Sequence, residues 1–290
     1  MFVLKAGVVG AGTMGAEIAQ VISFAEVPVV LVDISAAAME RGRKRVEEIY
    51  QRRVDRGRMT STQAQDRLSL LTTSTDLAAL HDADLVIEAV PETIDLKRQV
   101  IQALDAVLSP LSVIGSNTSA LSITAMAEGS RQPGRVAGVH FFFPASVMRL
   151  VEVVSGEATT ADTVETVVSF VTDIRKIPVR VKECPGFVVN RVLMAAMSEV
   201  LRFQQETGAS FADLDRATLE QGLVPMGPFG LADQLGLDIV KEVQATLAAA
   251  YGPRFGGGSA VAERVAKGAL GVKTGHGFYD YTGGGADDGR

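Results

Sequence analysis

Two periodicities divide the chain. Up to about residue 183, short β-branched runs alternate with stretches whose apolar residues recur at helical spacing, and beyond Pro185 only the helical spacing remains. Residues 3–9 read as a buried strand, followed by a glycine turn and a helix with apolar positions Ile18, Val21, Ile22 and Ala25. Residues 27–32 form a second strand that ends at Asp33. Further strand-like runs lie at 85–90, 113–115, 136–142, 150–154 and 177–181. The opening strand, turn, helix and strand read as the first half of a doubly wound, Rossmann-type sheet, and the alternation predicts an α/β domain over residues 1–183.

The second half reads as all-helical over residues 184–281. Residues 187–207 carry an apolar face of Val189, Val192, Leu193, Ala196, Met197, Val200 and Leu201 and stop at Gly208; further helices are predicted at 211–222, 229–251 and 259–269. So wide a face on a helix of about twenty residues needs cover from other helices or from a second subunit, so a homodimer through this domain is expected. Residues 282–290, rich in Gly and Asp, are expected to be disordered.

One insertion interrupts the first domain. Across residues 36–71 two helical patterns break near Gly57, and the second opens with Thr60 and Gln63 at capping-box spacing, which predicts a helical hairpin. Residues 41–58 hold eight Lys or Arg against Glu47, Glu48 and Asp55, so this arm carries +5 while the rest of the chain carries -11. A solvated helix face and a landing site for a polyanion both fit that pattern.

Composition narrows the classes. A chain of 290 residues, 47% hydrophobic, can bury a sizeable core. No apolar run reaches the roughly 18–20 residues that span a bilayer, and the first strand begins within a few residues of Met1, leaving no room for a leader; a soluble, cytoplasmic protein is expected. Cys184 is the one cysteine, which excludes an intramolecular disulfide, and three scattered His show no metal-ligand spacing, so no metal is expected. The net charge of -6 argues against general nucleic-acid binding.

Gly10-Ala-Gly12-Thr13-Met14-Gly15 suits a nucleotide pyrophosphate. Gly10 permits the tight turn, Gly12 lets the backbone approach the phosphates, Gly15 lets helix and strand pack closely, and the helix N-terminus faces the anion. Asp33, 18 residues after Gly15 at the end of the second strand, sits where an acid hydrogen-bonds the adenosine ribose and repels a 2′-phosphate, so NAD is preferred over NADP. His140 ends a strand, and Glu152 lies in an otherwise apolar one, on the face of Leu150 and Val154. A buried carboxylate needs a partner, and an imidazole held by one nitrogen is left with the other as a base. A structural His–Glu pair is the bland alternative. Read by themselves, Ser116 and Asn190 are turn and helix-start residues, and His81 and His276 loop residues.

GVVGAGTMG with Asp33, VIEAVPETIDLK, SNTSAL, HFFFP with LVEVV, CPGFVVNR, MGPFGLAD and KTGHGFYDY resemble, in order and spacing, the L-3-hydroxyacyl-CoA dehydrogenases over nearly the whole chain. The resemblance implies a Rossmann-type domain with a helical arm, a helical dimerising domain, and NAD-dependent oxidation of a 3-hydroxyacyl-CoA. It assigns His140 as catalytic base with Glu152 as its partner, and Ser116 and Asn190 to the substrate oxygen. Asp33, Glu92, Lys97, Ser116 and Lys273 fall on positions that contact NAD, and Arg56 on a position near CoA. Where the family motif usually reads HFFNP, this chain has Phe143, which removes an amide beside the reaction centre and adds bulk. An acyl group on a carrier protein, a free hydroxy acid, and a NAD-binding protein without catalysis are the rival readings.

Overall fold

The protein is described here by a computed structural model covering residues 1–222, 224–256 and 258–282, so the predicted disorder of residues 283–290 lies outside the described residues. The chain forms two compact units, Met1–Phe187 and Val188–Arg290. The predicted boundary at 183 falls four residues short because Phe187 is buried in a core of the first unit.

The first unit is an eight-stranded sheet in the order β3-β2-β1-β4-β5-β6-β7-β8. Its strands are β1 (Ala6–Val9), β2 (Val29–Val32), β3 (Leu71–Ser74), β4 (Leu85–Glu88), β5 (Val113–Ser116), β6 (Val136–Phe141), β7 (Leu150–Ser155) and β8 (Ile177–Lys182). Strands β3 through β6 pair in parallel; β7 runs antiparallel to β6, and β8 runs parallel to β7. Strand β3 was not expected: its four residues, LTTS, are too short and polar to stand out, and pairing with β2 places them at the sheet edge.

Period-two alternation sends Val8 and Leu31 to one core and Val9 and Val30 to another, so the sheet is buried on both faces. Helices α1 (Thr13–Phe24) and α6 (Ala161–Asp173) contribute Ile18, Ile22, Val167 and Phe170 to the first core; α4 (Ile94–Val107) and α5 (Ile123–Ala127) contribute Ile101, Leu104 and Met126 to the second. The strand order reverses between β1 and β4, and in such sheets the crevice beyond the strand C-termini at that point is where ligands bind.

The arm is a hairpin of α2 (Ala36–Asp55) and α3 (Ser61–Ser69). Ser35 caps α2 and the expected capping box of Thr60 and Gln63 opens α3. Helix α2 lies against the glycine turn through Gly42, where a Cβ would stand 2.8 Å from the Ala11 carbonyl oxygen, and buries Val46, Ile49 and Tyr50; Arg41, Arg43, Lys44, Arg52 and Arg56 are exposed.

The second unit contains α7 (Val189–Thr207), α8 (Phe211–Glu220), α9 (Pro228–Leu235), α10 (Leu237–Tyr251) and α11 (Gly258–Ala266) around Met194, Met197, Leu201, Phe229, Leu247 and Phe255. Gly208, at φ +69°, ends α7 as predicted. The single helix expected over 229–251 is two, because Gly236 at φ +95° leaves helical space between α9 and α10. Among the described residues no helix is long and apolar enough to cross a membrane.

Candidate active site

The glycine turn leaves β1 with Gly10 at φ +102°. A Cβ at Gly10 would stand 2.7 Å from the Ala89 carbonyl oxygen and one at Gly15 would stand 1.8 Å from that of Gly10, whereas one at Gly12 would meet nothing within 4 Å. Gly10 and Gly15 therefore keep the turn tight, and Gly12 leaves its outer surface open to a ligand. Gly12 starts α1 with no side-chain cap and no acid in the first turn, Thr13 is exposed, and Met14 packs against the first core. The uncapped N–H groups and helix dipole favour an anion there. A cleft of about 380 Å³ runs from Gly12 and Thr13 to Arg41, Lys44 and Arg45 of the arm.

Asp33 follows β2 and closes the turn: its carboxylate accepts from the Ala11 N–H at 2.8 Å and the Ser35 N–H at 2.9 Å. A carboxylate has about four acceptor positions, so these two bonds orient Asp33 and leave capacity for a ribose diol. The residues present thus fit NAD at its phosphates and adenosine ribose.

A carboxylate that the sequence analysis passed over organises the ends of β4 and β5. Glu88 is fully buried; its carboxylate accepts from Lys97 Nζ at 2.8 and 3.1 Å, from the Ser116 hydroxyl at 2.5 Å and from the Val90 N–H at 2.6 Å. Two of the predicted residues are its partners. Ser116 has no exposed surface, and its hydroxyl donates to Glu88. Lys97 is 1% exposed; besides Glu88 its ammonium meets the Val90 carbonyl at 3.1 Å and Glu92 at 3.3 Å, which consumes its donors.

Glu92 and Ser119 are the members of this cluster with surface to offer, Glu92 being exposed and Ser119 half-buried. Glu92 accepts from the Thr118 hydroxyl at 2.6 Å and from the Ser119 N–H and hydroxyl at 2.8 and 3.2 Å. Burial raises the Glu92 pKa, but the Lys97 charge and the Thr118 and Ser119 bonds outweigh it and hold the carboxyl below its ordinary range. Glu88 could have been found by the logic applied to Glu152, since both are acids in apolar strands.

His140 and Glu152 are directly opposed in the β6–β7 register. The pairing expected for Glu152 is present: it is fully buried, and Oε2 lies 2.8 Å from His140 Nδ1. His140 is 6% exposed, with the Phe142 ring at 4.4 Å and the Phe187 ring at 5.8 Å between centroids. A carboxylate on Nδ1 selects the Nδ1–H tautomer, makes Nε2 the basic nitrogen, and stabilises the imidazolium when Nε2 takes a proton. The Asn117 side chain accepts from the Phe141 N–H at 2.9 Å, tying the end of β6 to the segment that follows β5.

Phe143 is 56% exposed, so the ring is not a core residue. With Pro144, Ser146 and Val147 it lines a cleft of about 250 Å³ whose other wall is Arg45, Ile49, Arg52, Arg53, Arg56 and Arg58 of the arm, with buried Glu17 of α1 also lining it. The Arg45 guanidinium lies 5.9 Å from the Phe143 ring centroid. Five guanidinium groups and one carboxylate make this a strongly cationic surface.

The remaining predicted residues belong to the second unit. Asn190 is the second residue of α7 and is half-buried. Lys273 forms an ion pair with Asp238, Nζ lying 2.5 and 2.6 Å from its two oxygens. His81 and His276 are exposed, as their loop reading required, and among the described residues no His, Cys, Asp and Glu cluster could hold a metal ion.

Residues 5–184 match the 3-hydroxyacyl-CoA dehydrogenase NAD-binding domain, and residues 186–281 match the C-terminal domain of the same enzymes. The chain belongs to the 3-hydroxyacyl-CoA dehydrogenase family. It is 41% identical over 276 residues to the 3-hydroxyadipyl-CoA dehydrogenase of Escherichia coli, which covers 94% of this chain but 58% of that relative, so the chain spans little more than half of that relative's length. It is 38% identical over 287 residues to the mitochondrial hydroxyacyl-coenzyme A dehydrogenase of Mus musculus, covering 94% of this chain and 90% of the mouse protein. The crystal structure of the (S)-3-hydroxybutyryl-CoA dehydrogenase of Ralstonia eutropha superposes with a TM-score of 0.93 at 36% identity, covering 97% of this chain and 99% of that one. Like the rest of the family, this chain is an NAD-dependent oxidoreductase of 3-hydroxyacyl-CoA.

Proposed function

We propose that His140 is the general base and acid of this dehydrogenase, that Glu152 orients it, and that Ser119 meets the substrate oxygen. The observation that carries this reading is the buried 2.8 Å contact between His140 Nδ1 and Glu152 Oε2 on the sheet that also bears the glycine turn. In the oxidative direction Nε2 removes the hydroxyl proton as the C3 hydride departs, which leaves a 3-ketoacyl thioester. Bound NAD supplies the hydride acceptor. In the reductive direction the imidazolium returns the proton to the oxygen. Positioned proton transfer of this kind contributes about 10²–10⁴-fold.

Gly10, Gly12, Thr13, Met14 and Gly15 hold the cofactor phosphates, Asp33 its ribose, and Glu92 its nicotinamide half. Lys97 acts on the cofactor indirectly, by fixing Glu92, and Ser116 acts by fixing Glu88. The oxygen contact of Ser116 passes to Ser119, the serine of the same motif that keeps exposed surface. Asn190 and Lys273 receive their roles from the family resemblance. The cationic cleft carrying Arg56 and Phe143 takes the phosphates and pantetheine of CoA.

The enzyme works as a cytoplasmic homodimer through its helical unit. Val192 and Phe203 on α7 and Ile239 on α10 are exposed apolar side chains of this unit, which supports the reading. The deciding assay is NADH consumption across 3-ketoacyl thioesters of increasing length on CoA, on pantetheine and on acyl carrier protein. Preference for the CoA thioesters is expected. Preference for the carrier-protein thioester, or no turnover of any of them, contradicts the reading.

A further inference from the structure

A further buried carboxylate, apart from Glu152 and Glu88, joins three elements around the cationic cleft. Glu17 sits on α1, two residues after the last glycine of the turn, and is 2% exposed. Its Oε1 lies 2.6 Å from Arg45 Nη2 on α2, and its Oε2 accepts from the Ser146 N–H at 3.3 Å, in the loop between His140's strand and β7. The same loop is also held by a lysine. Lys176, in the residue just before β8, donates to the Ala145 carbonyl at 2.5 Å and to the Met148 carbonyl at 2.7 Å. The loop's own Val147 and Met148 N–H groups both donate to the Pro144 carbonyl at 2.9 Å, so its backbone is tied internally as well as by Glu17 and Lys176. Phe143, at the head of this loop, lies under the Arg45 guanidinium that Glu17 holds.

Neither residue is explained by the chemistry at His140 or by the cofactor turn. A carboxylate buried on a helix whose neighbours Ala16, Ile18 and Ala19 are wholly buried costs several kcal/mol unless it is paired, so its position is defined by Arg45 and the loop. A charged lysine capping two carbonyls likewise fixes those carbonyls in space.

We propose that Glu17 and Lys176 are positioning residues for the thioester site: together they hold the loop of residues 143–148 against α2, so that Phe143 and Arg45 present one preformed wall of the cleft. The inference rests on the reading of that cleft as the CoA site. It gives Phe143 a fixed place on the wall, and it makes the arm and the loop after His140 one mechanical unit. Preformation matters because each loop or side chain ordered only on binding costs affinity.

The test is a set of variants measured for both substrates. Glu17→Gln keeps the shape of the side chain and removes its charge. It is expected to raise KM for a 3-ketoacyl-CoA by about tenfold, to leave kcat within about threefold, and to leave the dissociation constant for NADH, measured by fluorescence without thioester, within about twofold. Arg45→Gln, which removes a cleft guanidinium as well as the partner of Glu17, is expected to raise KM at least as much, and the double variant to be little worse than Arg45→Gln alone, because the Glu17 contact is then already broken. Lys176→Met is expected to raise KM, and Lys176→Arg to restore much of it. Amide hydrogen exchange at Ser146 and Val147 is expected to quicken in Glu17→Gln while exchange in β1 and β4 stays slow.

A lower melting temperature with KM unchanged makes Glu17 a purely structural residue and overturns the proposal. Equal losses in NADH and thioester binding overturn it too, since they place the damage in α1. Arg56→Ala separates this inference from the reading beneath it. If Arg56→Ala raises KM for the CoA thioester but Glu17→Gln does not, the cleft stands and the positioning role falls. If Arg56→Ala leaves KM unchanged, the cleft reading itself fails.

Discussion

Both units bury carboxylates, and they satisfy them differently. In the first unit each is held by a group that carries or can take a proton: Glu88 by the Lys97 ammonium, Glu152 by the His140 imidazole and Glu17 by the Arg45 guanidinium. In the second, Asp215 accepts from the N–H groups of Phe229 and Gly230 and from the Tyr279 phenol, and Asp233 from the N–H groups of Phe278 and Tyr279 and from the Tyr281 phenol. Backbone donors cannot leave or change charge, so Asp215 and Asp233 act as fixed pins joining the start of α9 and the 278–281 segment to the helical core. A carboxylate paired with an imidazole can instead follow a proton as it arrives and departs. Burial alone does not mark chemistry; the kind of partner does.

The contrast breaks most visibly at the pairs that cannot tolerate the loss of one member. Lys97→Met leaves Glu88 buried without its cation and is expected to cost about 3–5 kcal/mol in urea unfolding of the first unit. A loss below about 1 kcal/mol removes Glu88 from the first class. Asp233→Asn keeps the size of the side chain but puts an amide donor against donors, and is expected to cost on the order of 3 kcal/mol while NADH affinity stays near that of the parent.

At the cleft, Phe143→Asn restores the amide usual in the family. Because the ring is more than half exposed, the change is expected to leave the melting temperature nearly constant. It is expected to raise kcat/KM for acetoacetyl-CoA by about tenfold, or roughly 1.4 kcal/mol of transition-state stabilisation. A fall in kcat/KM on every thioester instead makes the ring part of a specialised wall, and unchanged kinetics on all of them removes Phe143 from the site.

The smallest effects are electrostatic and have opposite signs in the two units. Burial, then the Arg53 and Arg149 charges, against an opposing contribution from Glu17, depress the Lys176 pKa to about 8. The unfolded chain then binds more protons than the native one between about pH 8 and the ordinary lysine value, so the cost of burying this charge is full below pH 8 and is relieved as pH rises through that window. Burial and the neighbouring Asp215 and Asp233 raise the phenol pKa values of Tyr279 and Tyr281. Their contribution is therefore complete below the ordinary tyrosine pKa of about 10 and is lost as pH climbs above it. Tyr281→Phe is expected to soften the alkaline unfolding of the helical unit, and Lys176→Met to remove the stabilisation gained above pH 8; unchanged pH profiles in both variants refute the assignment.

The features legible in the sequence are those set by local spacing. The glycine turn with Asp33, the capping box of Thr60 and Gln63, and the imidazole with its strand-borne acid each follow from a period or a fixed offset. Direction was not legible. Ser119 follows Ser116 by three positions, yet the first ends a buried strand and turns to Glu88, while the second lies beyond it and keeps exposed surface. The burial of Lys97 was not legible either, because its partners stand nine and five residues earlier, across a turn. Glu17 pairs with Arg45 and Ser146, 28 and 129 residues away, and no spacing rule reaches that far.

The central claim is that the buried imidazole moves the proton, and it is tested most directly in His140→Gln by measuring kcat for reduction of a 3-ketoacyl-CoA beside the NADH dissociation constant and the melting temperature. The account predicts that kcat falls by about 10²–10⁴-fold while cofactor affinity and folding stay close to those of the parent. A variant that turns over within a few-fold of the parent would contradict it.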